Sequence, residues 1–285
     1  MRVDFRLVDV FTPKPFAGNQ LCVVADPPPE LSTEQMQMLA REIGFSETTY
    51  VTEVREDGYD VRIFTPVDEL PFAGHPTLGT AFVMATLGRI PTSAIQRCTA
   101  GEIPVEIDLE AGAATMQQLP TEARRPVEDR AAVARAAGLE PEDLADLPVI
   151  AVSTGVWHTI VPLVDEAALK RASRNDAAVA KVCEQIDAES LYLFAIRGDG
   201  DVVARMFDRS IEIGEDPATG SAAGPLAAYL SQHRLAGMPG SCRIEQGERV
   251  GRPSVIRTEV RDVDGNWRAL VGGDVRIVGD GGFEL

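Results

Sequence analysis

The chain has 285 residues, 45% hydrophobic and 25% charged, with 27 basic against 44 acidic side chains and a formal net charge of −17. That length and apolar content suit one large core or two medium ones. The acidic balance excludes nucleic acid and anionic membrane as partners, since both demand a basic face.

The chain opens on Met1-Arg-Val-Asp-Phe-Arg, a strand pattern without the apolar stretch of a signal peptide, and no apolar run approaches the ~18 residues of a membrane span. A cytoplasmic location is expected. Residues 18–26 read as a strand. Leu31-Ser-Thr-Glu34 then opens a helix over 34–43, with Ser32 or Thr33 as N-cap and Met38, Leu39 and Ile43 on one face. Residues 45–52 and 59–65 form a β pair around Glu56-Asp57-Gly58. A glycine-containing turn, Pro71-Phe-Ala-Gly-His75-Pro-Thr-Leu-Gly-Thr80, follows, and after it an Ala/Leu-rich helix.

A boundary is expected in residues 119–125 or in the Ala-rich stretch that follows, and 130–147 read as a short helix pair. The order then repeats: a strand over 155–164, a helix over 177–185, and strands over 191–196 and 202–207 around Gly198-Asp-Gly200. A second turn, Gly214-Glu-Asp216-Pro-Ala-Thr-Gly-Ser221, leads into another helix. Two similar sets of elements predict an α/β (α+β) fold of two pseudo-symmetric halves. Each is a curved mixed sheet wrapped around the helix after its glycine turn. The expected domains are 1–122 and 123–285, with the C-terminal strand free to pack back on the first.

Setting Pro76 on Pro217 pairs Gly79 with Gly220, Thr80 with Ser221 and His75 with Asp216. A turn at a helix start presents unpaired N–H groups and the positive end of the helix dipole, which suits a carboxylate or phosphate. Two such turns predict a site for a small anionic substrate, despite the acidic surface. Gly74 and Gly220 let backbone approach the ligand, and Ser221 can add a hydroxyl. Gly18-Asn19 and Ser153-Thr-Gly155 occupy matching places as strand-start loops that could close the pocket. Glu47 shares a strand face with Phe45 and Thr49. On an inward face its pKa rises, as a general acid/base requires; on an outward face it is an ordinary edge carboxylate. Asp216 reads equally as the N-cap of its helix. His158 reads as structural, and His233 marks a helix C-terminus. Neither turn is a Walker loop or dinucleotide fingerprint. The four cysteines form no CxxC, and with three histidines no metal site is expected.

Four stretches carry a family resemblance: Asp9-Val-Phe-Thr with Phe16-Ala-Gly-Asn19, Phe45-Ser-Glu-Thr-Thr-Tyr-Val51, residues 62–80, and Glu215-Asp-Pro-Ala-Thr-Gly-Ser-Ala-Ala-Gly-Pro-Leu226, continuing to Gln246–Ser254. Together they resemble the phenazine-biosynthesis-like PhzF family over nearly the whole chain. The resemblance implies a diaminopimelate-epimerase-like fold, a cofactor-free active site between the two barrels and a homodimer. It also implies isomerisation like that of trans-2,3-dihydro-3-hydroxyanthranilate. Glu47 falls at the position of the acid/base residue. His75, Asp216 and Ser221 fall on other active-site residues, with backbone contacts from Gly74 and Gly220 and substrate contact at Asn19. The superfamily's racemases carry a cysteine at each helix start. Here the positions are Ala73 and Thr219, against two-thiol epimerisation. A racemase with other bases, or a non-catalytic small-molecule binder on this scaffold, is the alternative. Asp208-Arg-Ser210 and Asn19-Gln20 depart from the family pattern, and both concern the substrate rather than the fold.

Overall fold

A computed structural model describes residues 1–198, 200–263 and 266–285; Asp199 of the expected turn lies outside the described residues. The chain divides into two compact units, residues 1–117 with 272–285, and residues 118–271.

The first unit runs β1 (Arg2–Val10), β2 (Asn19–Val24), α1 (Thr33–Ile43), β3 (Glu47–Arg55), β4 (Gly58–Phe64), β5 (Glu69–Leu70), α2 (Gly74–Thr86), β6 (Ser93–Cys98), β7 (Gly101–Asp108) and β8 (Ala113–Gln117). The second runs β9 (Glu122–Pro126), α3 (Arg130–Ala136), β10 (Ile150–Ser153), β11 (Trp157–Pro162), α4 (Glu166–Arg171), α5 (Asp176–Ile186), β12 (Ser190–Ile196), β13 (Val202–Asp208), β14 (Glu215–Asp216), α6 (Gly220–His233), β15 (Ser241–Gln246) and β16 (Ser254–Val263). The last strand, β17 (Asn266–Glu284), leaves the second unit and from Gly272 belongs to the first.

In the first unit β17 pairs with β1, and pairing continues through β2, β3, β4, β6, β7 and β8 back to β17. Eight strands thus close a barrel with no free edge. The pairs β2–β3 and β4–β6 are parallel because α1 and α2 respectively supply the crossovers. Helix α2 is buried from Gly74 through Ala85, which explains why its sequence is apolar on all sides. A Cβ at Gly79 would lie 2.6 Å from Leu21 Cδ2 and 3.0 Å from Val10 Cγ2, so a larger residue would push α2 off the barrel wall.

Helix α1 covers the outside of the sheet. Ser32 caps it through a reciprocal pair: its hydroxyl accepts from the Gln35 N–H at 3.2 Å, and Gln35 Oε1 accepts from the Ser32 N–H at 3.0 Å. The face it buries is Met36, Leu39 and Ala40, against Tyr50, Phe64 and Val24. Met38, expected on that face, is exposed. Met36 and Leu39 are three residues apart and share one side, whereas Met38 next to Leu39 is turned roughly 100° away.

In the second unit β9, β10, β11, β12, β13, β15 and β16 pair in succession, with β11–β12 and β13–β15 parallel. Strand β12 shows the alternation that builds the unit. Leu191, Leu193 and Ala195 join the cluster of Val133, Val179 and Val182 under α3 and α5. Tyr192 and Phe194 face the other way, Phe194 meeting Tyr229 of α6 edge-on at 5.8 Å. The expected helix pair over 130–147 is α3 plus a single 3₁₀ turn at Pro141–Asp143.

One clamp occurs in both units. Arg62 stacks over Phe64 at 5.0 Å and pairs with Glu69; Arg205 stacks over Phe207 at 4.9 Å and pairs with Glu215. The arginine lies on the long strand (β4 or β13) and the glutamate on the two-residue strand beside it (β5 or β14). The two clamps and the two helix starts fix how the copies correspond. Glu69 matches Glu215, Gly74 matches Gly220, and His75 therefore matches Ser221. The pairing of Pro76 with Pro217 is corrected: Pro71 matches Pro217, Thr80 lies well inside α2, and Asp216 stands where the first unit has Leu70. The Pro-x-x-Gly spacing occurs twice in the first turn, at 71–74 and 76–79, so spacing alone does not say which copy Pro217 matches.

Candidate active site

The first cluster sits where α2 begins. Strand β3 sends alternate side chains toward α2, so Thr49 meets Thr80 at 2.8 Å and Glu47 meets His75. Thr80 is thereby a helix-to-wall contact. His75, the second helical residue, is almost wholly buried. The Asn19 amide donates to its Nδ1 at 3.1 Å, and Asn19 Oδ1 accepts from the Ser46 hydroxyl at 3.2 Å. An amide nitrogen can only donate, so Nδ1 accepts, and whenever the ring is neutral its proton is on Nε2. That nitrogen lies 3.2 Å from the Gln20 carbonyl and 3.3 Å from Glu47 Oε2.

Glu47 Oε2 is buried and forms no hydrogen bond among the described residues. Burial disfavours the ionised form and pushes the Glu47 carboxyl up to about 7 from an ordinary 4.5, against a smaller opposing effect of the Ser46 hydroxyl. A carboxyl held there can release and recover a proton at neutral pH. Of the residues singled out in the sequence, Asn19, Glu47 and His75 are in one hydrogen-bonding neighbourhood, with Gly74 opening the helix beside them.

The second cluster sits where α6 begins. Asp216 ends β14 and is buried. The N-cap of α6 is Thr219, so Asp216 is not the cap. Instead Asp216 Oδ2 accepts from the Thr219 hydroxyl at 2.5 Å. Gln246 holds the turn from behind: its amide nitrogen donates to the Asp216 carbonyl at 2.8 Å and to Thr219 Oγ1 at 3.0 Å. Its Oε1 accepts from the Thr219 N–H at 3.2 Å and the Tyr192 hydroxyl at 3.0 Å. All capacities of that amide are filled, as burial requires. Gln118 donates to the Gly220 carbonyl at 2.8 Å and accepts from Thr154 at 2.6 Å. A Cβ at Gly224 would lie 1.7 Å from Gln118 Oε1, so α6 needs glycine there.

Ser221 is half-buried and in contact with His158 Nε2 at 3.1 Å, whose Nδ1 meets Ser190 Oγ at 2.8 Å. Burial pushes the His158 imidazole down to about 3, so it is neutral. In the sequence His158 reads as structural, and β11 after Trp157 and β12 before Ile196 are buried on both faces, so no alternation marks it. Gln118 and Gln246 carry no local signal either, since a buried glutamine leaves no period of its own.

All four cysteines are free, and burial pushes the Cys22 thiol up to about 12. Among the described residues no three of His, Cys, Asp and Glu gather as a metal-ligand set, and no helix is long and apolar enough to cross a membrane.

Strand-wrapped buried helices, each opening on a small polar cluster, place the chain in the diaminopimelate-epimerase-like fold class. Residues 8–281 match the phenazine biosynthesis-like protein family, PhzC-PhzF, and the chain belongs to that family. It is 35% identical over 284 residues to the trans-2,3-dihydro-3-hydroxyanthranilate isomerase of Pseudomonas aeruginosa, covering 94% of this chain and 97% of that one. An uncharacterized isomerase of Clostridium acetobutylicum is 33% identical over 268 residues, covering 89% and 88%. The crystal structure of a PhzF-family phenazine biosynthesis protein from Bacillus anthracis superposes with a TM-score of 0.89 at 25% identity, covering both chains fully.

Proposed function

We propose that this protein is an isomerase that moves a proton between two carbons of a small carboxylate, with Glu47 as the general acid/base. One observation carries the reading. A carboxyl with a buried, unbonded oxygen stands 3.3 Å from His75 Nε2, and its pKa lies near 7. A structural glutamate in a barrel wall would be paired with a cation or replaced by an apolar residue, because an unpaired buried carboxyl is destabilising. Here it is kept titratable at the pH where proton shuttling is most efficient.

The isomerase names borne by relatives covering most of the chain support the reaction class. A substrate like trans-2,3-dihydro-3-hydroxyanthranilate fits the chemistry. A proton leaves an activated ring carbon to Glu47 and returns to another carbon of the same ring, so no net oxidation occurs and proton transfer alone suffices. The His75 Nε2–H donates to the Gln20 carbonyl at 3.2 Å, and Nε2 stands 3.3 Å from Glu47 Oε2, where it can steady the carboxylate once the proton has left. Asn19 fixes that tautomer. Asp216 is assigned with His75 to position the substrate's amino or hydroxyl groups during proton transfer, and Ser221, Asn19 and the helix-start backbone at Gly74 and Gly220 to substrate contact. An epimerase using two thiols is not favoured, because the residues immediately before the helices are Ala73 and Thr219.

The test is NMR of the protein with trans-2,3-dihydro-3-hydroxyanthranilate in deuterated water, run beside Glu47→Gln. Wild type is expected to incorporate deuterium and consume the diene, and Glu47→Gln to lose about 10²–10⁴-fold in rate with an unchanged fold. Exchange retained in Glu47→Gln would remove Glu47 from the reaction. Absence of exchange in wild type would remove this substrate.

A further inference from the structure

We propose that Ser190 and His158 act as a neutral positioning relay that fixes the Ser221 hydroxyl as a hydrogen-bond donor toward a ligand oxygen. The second unit would thereby select an anionic acceptor group over an amino group at that point. The relay stands on the geometry of this unit alone; its use in substrate binding rests on the carboxylate reading above.

The argument is one of counting protons. Ser190 is fully buried at the start of β12, and among the described residues His158 Nδ1 is the only hydrogen-bond partner of its side chain, at 2.8 Å. A buried hydroxyl with one polar neighbour directs its proton there, since an unsatisfied buried donor is costly. His158 Nδ1 therefore accepts. The ring, 2% exposed on β11, is neutral and carries a single proton, which must be on Nε2. That proton lies on the 3.1 Å contact to Ser221 Oγ, so Ser221 is the acceptor.

The Ser221 O–H is left over. Among the described residues its side chain has no second partner, and Ser221 is the second residue of α6. It can satisfy its proton by donating outward, in the same sense as the N–H groups of the first helical turn. The opposite tautomer would reverse the selection. With Nδ1 protonated, Nε2 would draw the Ser221 proton inward, and Ser221 would offer lone pairs to a ligand amine. The buried Ser190 hydroxyl forbids that state, because its own proton would then have no acceptor.

The first measurement is the ring-nitrogen NMR of His158 in ¹⁵N-labelled protein, assigned by its loss in His158→Gln. The expected signature is a neutral ring protonated on Nε2 that does not titrate between about pH 5 and 8. Ser190→Ala should admit the other tautomer. A wild-type ring protonated on Nδ1 overturns the relay, whatever the substrate is.

The second measurement is binding of anthranilate as a carboxylate probe. Ser221→Ala and His158→Leu should each weaken it by roughly 10-fold, and the double variant by no more than either. His158→Gln, which can place an N–H near the ring Nε2 position, should recover most of the loss. Additive losses, or no advantage of Gln over Leu, would overturn the role of His158 in positioning Ser221. If wild type binds no anthranilate while the Nε2 tautomer is seen, the carboxylate reading fails and the relay stands.

Discussion

The two units use the same strand and helix positions and place different chemistry on them. Thr48 lies opposite Phe64 and Leu191 opposite Phe207, so Glu47 and Ser190, one residue earlier, are equivalent. Each is paired across the parallel ladder with one residue of the preceding strand, Leu21 in the first unit and His158 in the second. At the helix, His75 corresponds to Ser221. In the first unit the imidazole is on the helix and faces a carboxyl on the strand. In the second it is on the strand and faces a hydroxyl on the helix. One arrangement holds a group that titrates near neutrality; the other holds a ring that stays neutral. What both copies retain, such as the Arg–Phe–Glu clamp, is scaffold. What they exchange marks where function was built.

The largest effect should come from erasing that difference. Glu47→Ser installs the second unit's residue in the first, removes the titrating group and leaves a half-filled space. Its activity should fall at least as far as that of Glu47→Gln, by about 10²–10⁴-fold. Ser190→Ala, at the equivalent position, removes no proton shuttle and should act mainly through binding. Equal kcat losses at the two positions would contradict the division of labour.

The clamp sharpens the comparison from the side of stability. The Arg205–Glu215 side chains are 10% and 14% exposed, and Arg205 also donates to the Leu169 and Ala172 carbonyls, tying α4 to β13. The Arg62–Glu69 pair is 30% and 35% exposed. Removing one partner of a buried pair leaves an uncompensated charge, so Glu215→Gln should cost about 3 kcal/mol or more. Glu69→Gln, screened by solvent, should cost less than about 1 kcal/mol. Urea unfolding of the two variants checks this, and similar midpoints would show that exposure does not separate the clamps.

Much of this was legible in the chain. The strands over 45–52 and 191–196, the helix start at Ser32 or Thr33 and the order of elements in both halves are local signals, set by neighbours a few residues away. Glu47 could be placed on a face but not on the inward one, because parity alone does not say which face a helix covers. The correspondence of the turns was misread, since the Pro-x-x-Gly pattern is degenerate and only the helix starts and the glutamates of β5 and β14 fix the register. The His158 relay was invisible for a different reason. Its members are 31 to 63 residues apart in sequence, derived from positions 158, 190 and 221, and nothing local distinguishes a relay histidine from a core one.

The last expected effect is on stability against pH, and its sign follows from the direction of the Glu47 shift. The carboxyl titrates near 4.5 when unfolded and about 7 when folded. Below about pH 4.5 it is protonated in both states and has no effect on the balance. Between the two values the unfolded chain has lost the proton that the folded chain keeps, so the folded state binds more protons and stability falls as pH rises. Above about 7 both forms are ionised and the dependence flattens. The difference integrates to roughly 3 kcal/mol at most. Glu47→Gln is neutral throughout and lacks this slope. Wild type minus Glu47→Gln, measured by urea unfolding from pH 4.5 to 8, should therefore decline through that window and level off. A difference that instead grew with pH would mean that folding favours the carboxylate, and would remove Glu47 as a carboxyl that burial holds protonated.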